Sequence, residues 1–269
     1  MKKFILNADD LGLSINHNKA VKKGYVNGVL RNASLIVNCD AFNDVVDNVI
    51  SHCPKLNVAI HLNIMEGKSL TYCPSLTDKN GFFNKGYLYL ILNQYNKKVQ
   101  KQIENEFKAQ IEKALQNGIE IKRMDSHVHT HAIPEIFKIS CKLAKEYNIG
   151  YIRTQFEKPY LVFPKCCNIK FLINIIKILI LNFFTLINKK TLEKYNLEYN
   201  DYILGVGYTA MMNSKTVLEG AKSLKNKDNK TIEIVIHPCI YDDDNRGCPS
   251  EEFLITQDKS LNAKYLNNI

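Results

Sequence analysis

The stretch IEIKRMDSHVHTHAIPEIFKISCKLAKEY, residues 119–147, holds one full unit of the architecture. Ile119 to Met124 reads as a buried strand, and Pro134 opens a helix running to about Tyr147. Proline suits a first helical turn, because the N–H it lacks would have had no intrahelical acceptor. Between strand and helix lies DSHVHTH, a polar cluster at the strand's C-terminal end. Strand, polar turn and helix in that order form the unit of a parallel α/β sheet.

The same order recurs on both sides. Toward the N-terminus, Lys3 to Ala8 reads as a strand, and Ser14 caps a helix that runs to about Asn27 before Gly28. Ala33 to Val37 is a second strand, followed by a helix from about Ala41 to His52, and Val58 to Leu62 is a third strand. Residues 63–86 lack periodicity and contain Gly67, Pro74, Gly81 and Gly86, which marks a long loop. Val99, Ile103, Phe107, Ile111 and Leu115 then fall four apart, a helical stripe ending at Gly118. Toward the C-terminus, Tyr151 to Arg153 and Thr231 to Ile236 read as strands, with a last helix from about Pro249. Residues from about 158 to 210 show no clear alternation and are read as a variable helical insertion. The expected fold is α/β, a single domain over 1–269 whose parallel sheet closes or nearly closes into a barrel.

Composition narrows the function. Hydrophobic residues make up 45% of the 269, enough for one large core, and the charged share of 23% is that of an ordinary soluble enzyme. The net charge of +9 comes from scattered lysines, with no recognisable nucleic-acid motif, so nucleic-acid binding is not expected. The eight cysteines form no CxxC pair, and MKKFILNADD has only a short apolar run before two acids. Reduced thiols and a cytoplasmic location are expected. Phe171 to Ile187 is apolar over 17 residues but contains Asn174, Lys177 and Asn182. That length is below the about 20 residues of a membrane span, so no stable membrane insertion is expected. A basic apolar segment, Lys165 to Lys194, could instead cover the active site or touch a lipid-linked glycan.

Chemistry collects at the C-terminal ends of the expected strands, where the loops of a barrel converge. Asp9 and Asp10 follow FILNA, and His61 follows VAI. Asp125, His127, His129 and His131 follow IKRM, Arg153 follows YI, and His237 follows IVI. Adjacent carboxylates repel unless a cation or proton separates them. His127, His129 and His131 alternate, which in an extended chain puts them on one face, and grouped imidazoles suit a divalent metal. One of the three, or Asp125, can instead bind substrate or orient a neighbour. Two histidines and a carboxylate leave coordination positions open, as a catalytic metal requires. His237 is placed to protonate a leaving group.

These motifs resemble the YdjC/ChbG family of carbohydrate deacetylases. The matching pieces are NADDLGLS at 7–14, HLN with MEGKSLT within 61–71, DSHVHTH at 125–131 and IHP at 236–238. The resemblance covers most of the chain except about 158–228. It implies a distorted (β/α) TIM-like barrel, one divalent metal ion (magnesium or zinc) and hydrolysis of the N-acetyl group of an amino sugar such as a chitooligosaccharide. Carried onto this sequence, Asp10, His61 and His127 are the metal ligands and Asp9 is the base. Asp9 takes a proton from water, His237 or else His131 protonates the departing amine, and Arg153 positions the sugar or a carboxylate. A homodimer is also implied. The chain departs from the family at Val128, where members often carry another histidine, and at Leu11, where they carry an aromatic. Two other readings compete. One is a metal phosphoesterase or amidohydrolase on a related barrel, which more often carries its HxH near the first strand. The other is a non-catalytic sugar-binding protein, which has no need of a free base.

Overall fold

The computed structural model describes residues 2–241 and 248–266. Its main sheet has seven strands: β1 (Lys3–Leu11), β2 (Asn32–Leu35), β3 (Asn57–Leu62), β4 (Arg123–Ser126), β5 (Tyr151–Ile152), β6 (Tyr202–Leu204) and β7 (Thr231–Ile236). They lie in the order β5-β4-β3-β2-β1-β7-β6, and every neighbouring pair is parallel. The order winds outward from β1 in both directions, so the strand carrying the acidic pair sits inside the sheet.

The sheet is curled, and hydrogen bonds link the chain beside its two edge strands. Ile152 N–H donates to Glu198 O at 2.9 Å, Glu198 N–H to Gly150 O at 2.9 Å, and Ile203 N–H to Phe156 O at 2.9 Å. Asn200 fills the gap between them, accepting from Thr154 N–H at 2.7 Å and donating to Thr154 O at 2.8 Å. These side-chain bonds stand in for ladder bonds that the two short edge strands cannot supply.

Alternation along β1 separates two environments. Phe4, Leu6 and Ala8 join the apolar core. Asn7 and Asp9 point the other way, into a polar interior shared with Ser34, Arg123, Asp125, Arg153 and Glu233. Helices cover the apolar side. They include α1 (Ile15–Asn27), α2 (Phe42–Asp44), α3 (Tyr87–Asn93), α4 (Lys97–Gln116), α5 (Pro134–Glu146), α6 (Ile169–Tyr195), α7 (Ser214–Ser223) and α8 (Glu251–Gln257). The stripe Val99, Ile103, Phe107 and Ile111 of α4 is buried, and burying each such side chain contributes about 1.5–3 kcal/mol.

Three expectations change. The helix foreseen over 41–52 is a single α turn that passes into a π turn at Val45–Val49 and a 3-10 turn at Ile50–His52. The strand expected from Ile119 begins at Arg123, because backbone pairing with β3 starts at Ala59↔Arg123. The middle of the chain holds the 27-residue α6, which connects β5 to β6. Its inner asparagines explain the broken apolar pattern. Asn174 donates to Gly207 O at 3.2 Å, Asn182 to Glu157 O at 2.9 Å and Asn188 to Ala132 O at 2.8 Å.

Candidate active site

Consecutive residues in a strand face opposite ways, so Asp9 and Asp10 need a distortion to meet. A break in register supplies it. Ala8 pairs with Ala33 but Leu11 with Leu35, so β1 carries one residue more than β2 over this stretch. Asp10 takes up the extra residue at φ 66°, in the left-handed region that aspartate tolerates. Gly12 completes the turn at φ +90°, where a Cβ would lie 2.3 Å from Ile36 O. Its N–H donates to Asn18 Oδ1 at 2.8 Å, which ties the turn to α1. Gly12→Ala therefore combines backbone strain with a clash against backbone. It is expected to cost at least about 1–3 kcal/mol of stability, read as a lower urea midpoint with an unchanged slope.

The histidine run is not extended, contrary to the alternation read from sequence. His127–Ala132 is a kinked 3-10 turn with Val128 and His129 at φ 52° and 55°. The three rings therefore part company. His127 Nδ1 lies 2.8 Å from Asp10 Oδ1. His129 lines the cavity, its Nδ1 buried without a hydrogen-bond partner. Burial and the nearby Arg153 charge hold His129 neutral, pushed down to about 3. His131 turns into the body of the protein, where Ser126 Oγ, Arg153 O and the Gln155 amide surround its ring nitrogens. Burial pushes His131 down to about 4.

Arg153 organises the floor beneath. It is fully buried and binds Asp9 through two parallel bonds of 2.7 and 2.8 Å. The same guanidinium lies 2.8 Å from Asp125 and 2.9 Å from Glu233. Burial disfavours charge on Asp9, but Arg153 and His61 together keep the carboxyl below its ordinary range. Asp125 in turn holds His61, with Asp125 Oδ1 2.5 Å from Nδ1. That contact turns Nε2 toward Asp10 Oδ1, 3.4 Å away. Burial opposes charge on His61, yet the carboxylates of Asp125 and Asp9 and the contact with Asp10 raise it to about 10.

Asp10, His61 and His127 offer donor atoms within 4.8 Å of one another, as do Asp9, His61 and Asp125. Only the first set suits an ion open to substrate. Asp9 and Asp125 already share the Arg153 charge, and Asp125 does not line the cavity, whereas Asp10, His61 and His127 all do. Charge balance points the same way. Four buried carboxylates (Asp9, Asp10, Asp125 and Glu233) face two guanidinium groups (Arg123 and Arg153). Two negative charges remain, which a divalent cation neutralises.

The site opens into a cavity of about 870 Å³ lined also by Asp9, His17, Glu66, Tyr87 and His237. Glu252, from α8, accepts a bond from His237 N–H and lies 3.3 Å from His237 Nδ1. Burial opposes charge on His237, but Glu252, Asp10 and Asp9 raise it to about 9. Sequence reasoning missed Glu252, Glu233 and Arg123, which lie outside the matching motifs. Glu66 sits inside the MEGKSLT run and reaches to 3.6 Å from His127 Nε2.

A family model described as YdjC-like protein matches residues 3–266. The chain belongs to the YdjC-like family. A carbohydrate deacetylase from Brevibacillus brevis is 38% identical over 148 residues, 55% of this chain and 57% of that protein. A carbohydrate deacetylase from Thermoanaerobacter pseudethanolicus is 32% identical over 165 residues, 60% of this chain and 64% of that protein. Both matches span less than two thirds of the relative's own length. This YdjC-like chain also superposes on a crystal structure from Enterococcus faecalis described as a cellobiose-phosphate cleavage protein. The TM-score is 0.73 at 20% identity, covering 99% of this chain and 94% of that one. At that identity the likeness concerns the fold.

Proposed function

We propose that this chain is a metal-dependent hydrolase that removes an acetyl group from an N-acetylated amino sugar, with chitooligosaccharides as the model substrate. One observation carries the reading. The open donor set of Asp10, His61 and His127 faces a cavity that also holds a carboxylate and a protonated imidazole, Asp9 and His237. The names of the similar proteins support it, and the fold is read as a distorted (β/α) TIM-like barrel.

In this reading Asp10, His61 and His127 hold one divalent ion, magnesium or zinc. When bound, it acidifies water and polarises the acetamide carbonyl. Asp9 accepts the proton of the attacking water. Its low pKa keeps it ionised, and the paired bonds to Arg153 fix its direction. His237 gives its proton to the departing amine, which leaves as a neutral sugar amine. His129, kept neutral, lines the cavity and is placed to contact the sugar. Asp125 and Arg153 act as positioning residues behind His61 and Asp9. His131, enclosed by its three partners, is the less suitable donor.

The acid makes a pH prediction. Its folded pKa is raised, so the active protonated form persists at neutral pH and is lost as pH rises through about 9. Glu252→Gln removes the charge that favours the proton, and the alkaline limb of kcat is expected to move to lower pH. A kcat–pH profile of the two proteins checks this, and an unmoved limb removes His237 from the role.

The function itself is tested by acetate release from a panel of N-acetyl sugars, with and without added zinc or magnesium, beside a phosphate-ester panel. Metal-stimulated acetate release is expected. Phosphate release without acetate release would overturn the reading.

A further inference from the structure

We propose that the outer face of α6 seats the protein on an anionic lipid surface, so that the cavity takes an N-acetylated amino sugar carried on a lipid. The substrate part rests on the deacetylase reading above, whereas the docking part does not.

Leu172, Ile176, Leu179, Phe183 and Leu186 recur three and four residues apart, which places them on one stripe of the helix. Each is between 53% and 61% exposed. Leu161 and Phe163, in the segment leading into α6, are 64% and 65% exposed. A contiguous apolar face of this kind marks an interaction surface. The helix is long and apolar enough to cross a bilayer by composition. Its inner face forbids that, because Phe171, Ile178, Leu181 and Phe184 are buried and Asn174, Asn182 and Asn188 are bonded into the body. A helix fixed on one side and apolar on the other lies along a membrane surface rather than through it.

Charge selects the occupant. Lys170 stands near one end of α6, Lys189, Lys190 and Lys194 near the other, and Lys177 between them, against one acid, Glu193. Two copies paired in parallel through this face would set Lys190 and Lys194, which continue the stripe, against their own counterparts. The net charge of +9 adds to that repulsion and favours an anionic surface. Lysines flanking an apolar stripe can extend to lipid headgroups while their stems stay in the apolar layer.

Position links the face to the chemistry. Lys177, Ile180 and Leu181 of the same helix line the cavity, with Val206 and Met212 beside them. The cavity is thus acidic and histidine-rich near β1 and apolar along α6. An amino sugar at the donor cluster would have its carrier chain leave along apolar side chains toward the lipid.

The test is flotation of the full-length protein with phosphatidylcholine vesicles, with and without about one-third phosphatidylglycerol. The protein is expected to float with the anionic vesicles and to be released by high salt. The double variant Ile176→Glu, Phe183→Glu alters two exposed residues outside the cavity lining. It is expected to lose at least about tenfold in vesicle-bound fraction, with an unchanged melting midpoint and unchanged acetate release from soluble N,N′-diacetylchitobiose. Adding hexadecyl N-acetylglucosaminide to the anionic vesicles should give faster acetate release than soluble N,N′-diacetylchitobiose at equal concentration, and only in the unsubstituted protein. Wild-type protein that stays unbound at low salt overturns the docking, as does a dimer in sedimentation that the double variant dissolves. Flotation without acetate release from either substrate would sustain the docking and sink the deacetylase reading. Acetate release without flotation would do the reverse.

Discussion

Asp9→Asn is expected to lower kcat for acetate release by about 10²–10⁴-fold, the contribution of a positioned general base. The substitution keeps the shape of the side chain and the acceptor oxygen but removes the ability to hold a proton. Metal content should not change, because Asp9 lies outside the Asp10–His61–His127 set and is occupied by Arg153. The fold should survive, because Arg153 retains Asp125 and Glu233. Turnover measured beside metal analysis separates the two effects. Near-normal turnover would remove Asp9 from the reaction, and a loss that tracks lost metal would make it a ligand.

Arg153→Met is expected to cost about 3–5 kcal/mol of stability, the usual consequence of breaking a buried ion pair from one side. Here one guanidinium serves three buried carboxylates, Asp9, Asp125 and Glu233, so its loss leaves like charges facing one another in the interior. Arg153→Lys keeps the charge but not the paired geometry and should recover only part of the loss. The deficit also depends on pH. Asp9 and Asp125 have depressed pKa values in the native protein, so their contribution is present above the ordinary carboxylate range and fades as pH falls below it. The gap between the two proteins, read from urea midpoints, should therefore hold from pH 7 to about pH 4 and narrow below it. A gap that widens would contradict this account of the interior.

What could be read from the sequence follows from how local each cause is. The hydrophobic stripe of α4 and the apolar runs of β1, β3 and β7 are set by neighbouring residues and were visible as period. The strand ends also carried Asp9, Asp10, His61, His127, His129 and His237 to one cavity, whereas Asp125 and His131 stand behind it. The bulge that lets Asp9 and Asp10 converge was not visible, because it depends on the register between β1 and β2. Nor was the divergence of His127, His129 and His131, since two left-handed residues replaced the extended chain assumed from their alternation. β6 escaped notice at three residues, with its edge pairing supplied partly by the Asn200 side chain. Glu233 and Glu252 gain their roles only through partners 80 and 15 residues distant. The helical insertion was expected and is present as α6, but its bounds were hidden because buried asparagines interrupt the apolar pattern.

Residues remote in the chain are proposed to meet around one cation. Anomalous diffraction at the zinc edge from crystals of the zinc-loaded protein locates that ion. A single strong peak is expected about 2 Å from Asp10, His61 and His127 donor atoms. A peak elsewhere, or none in crystals of protein that releases acetate, would contradict it.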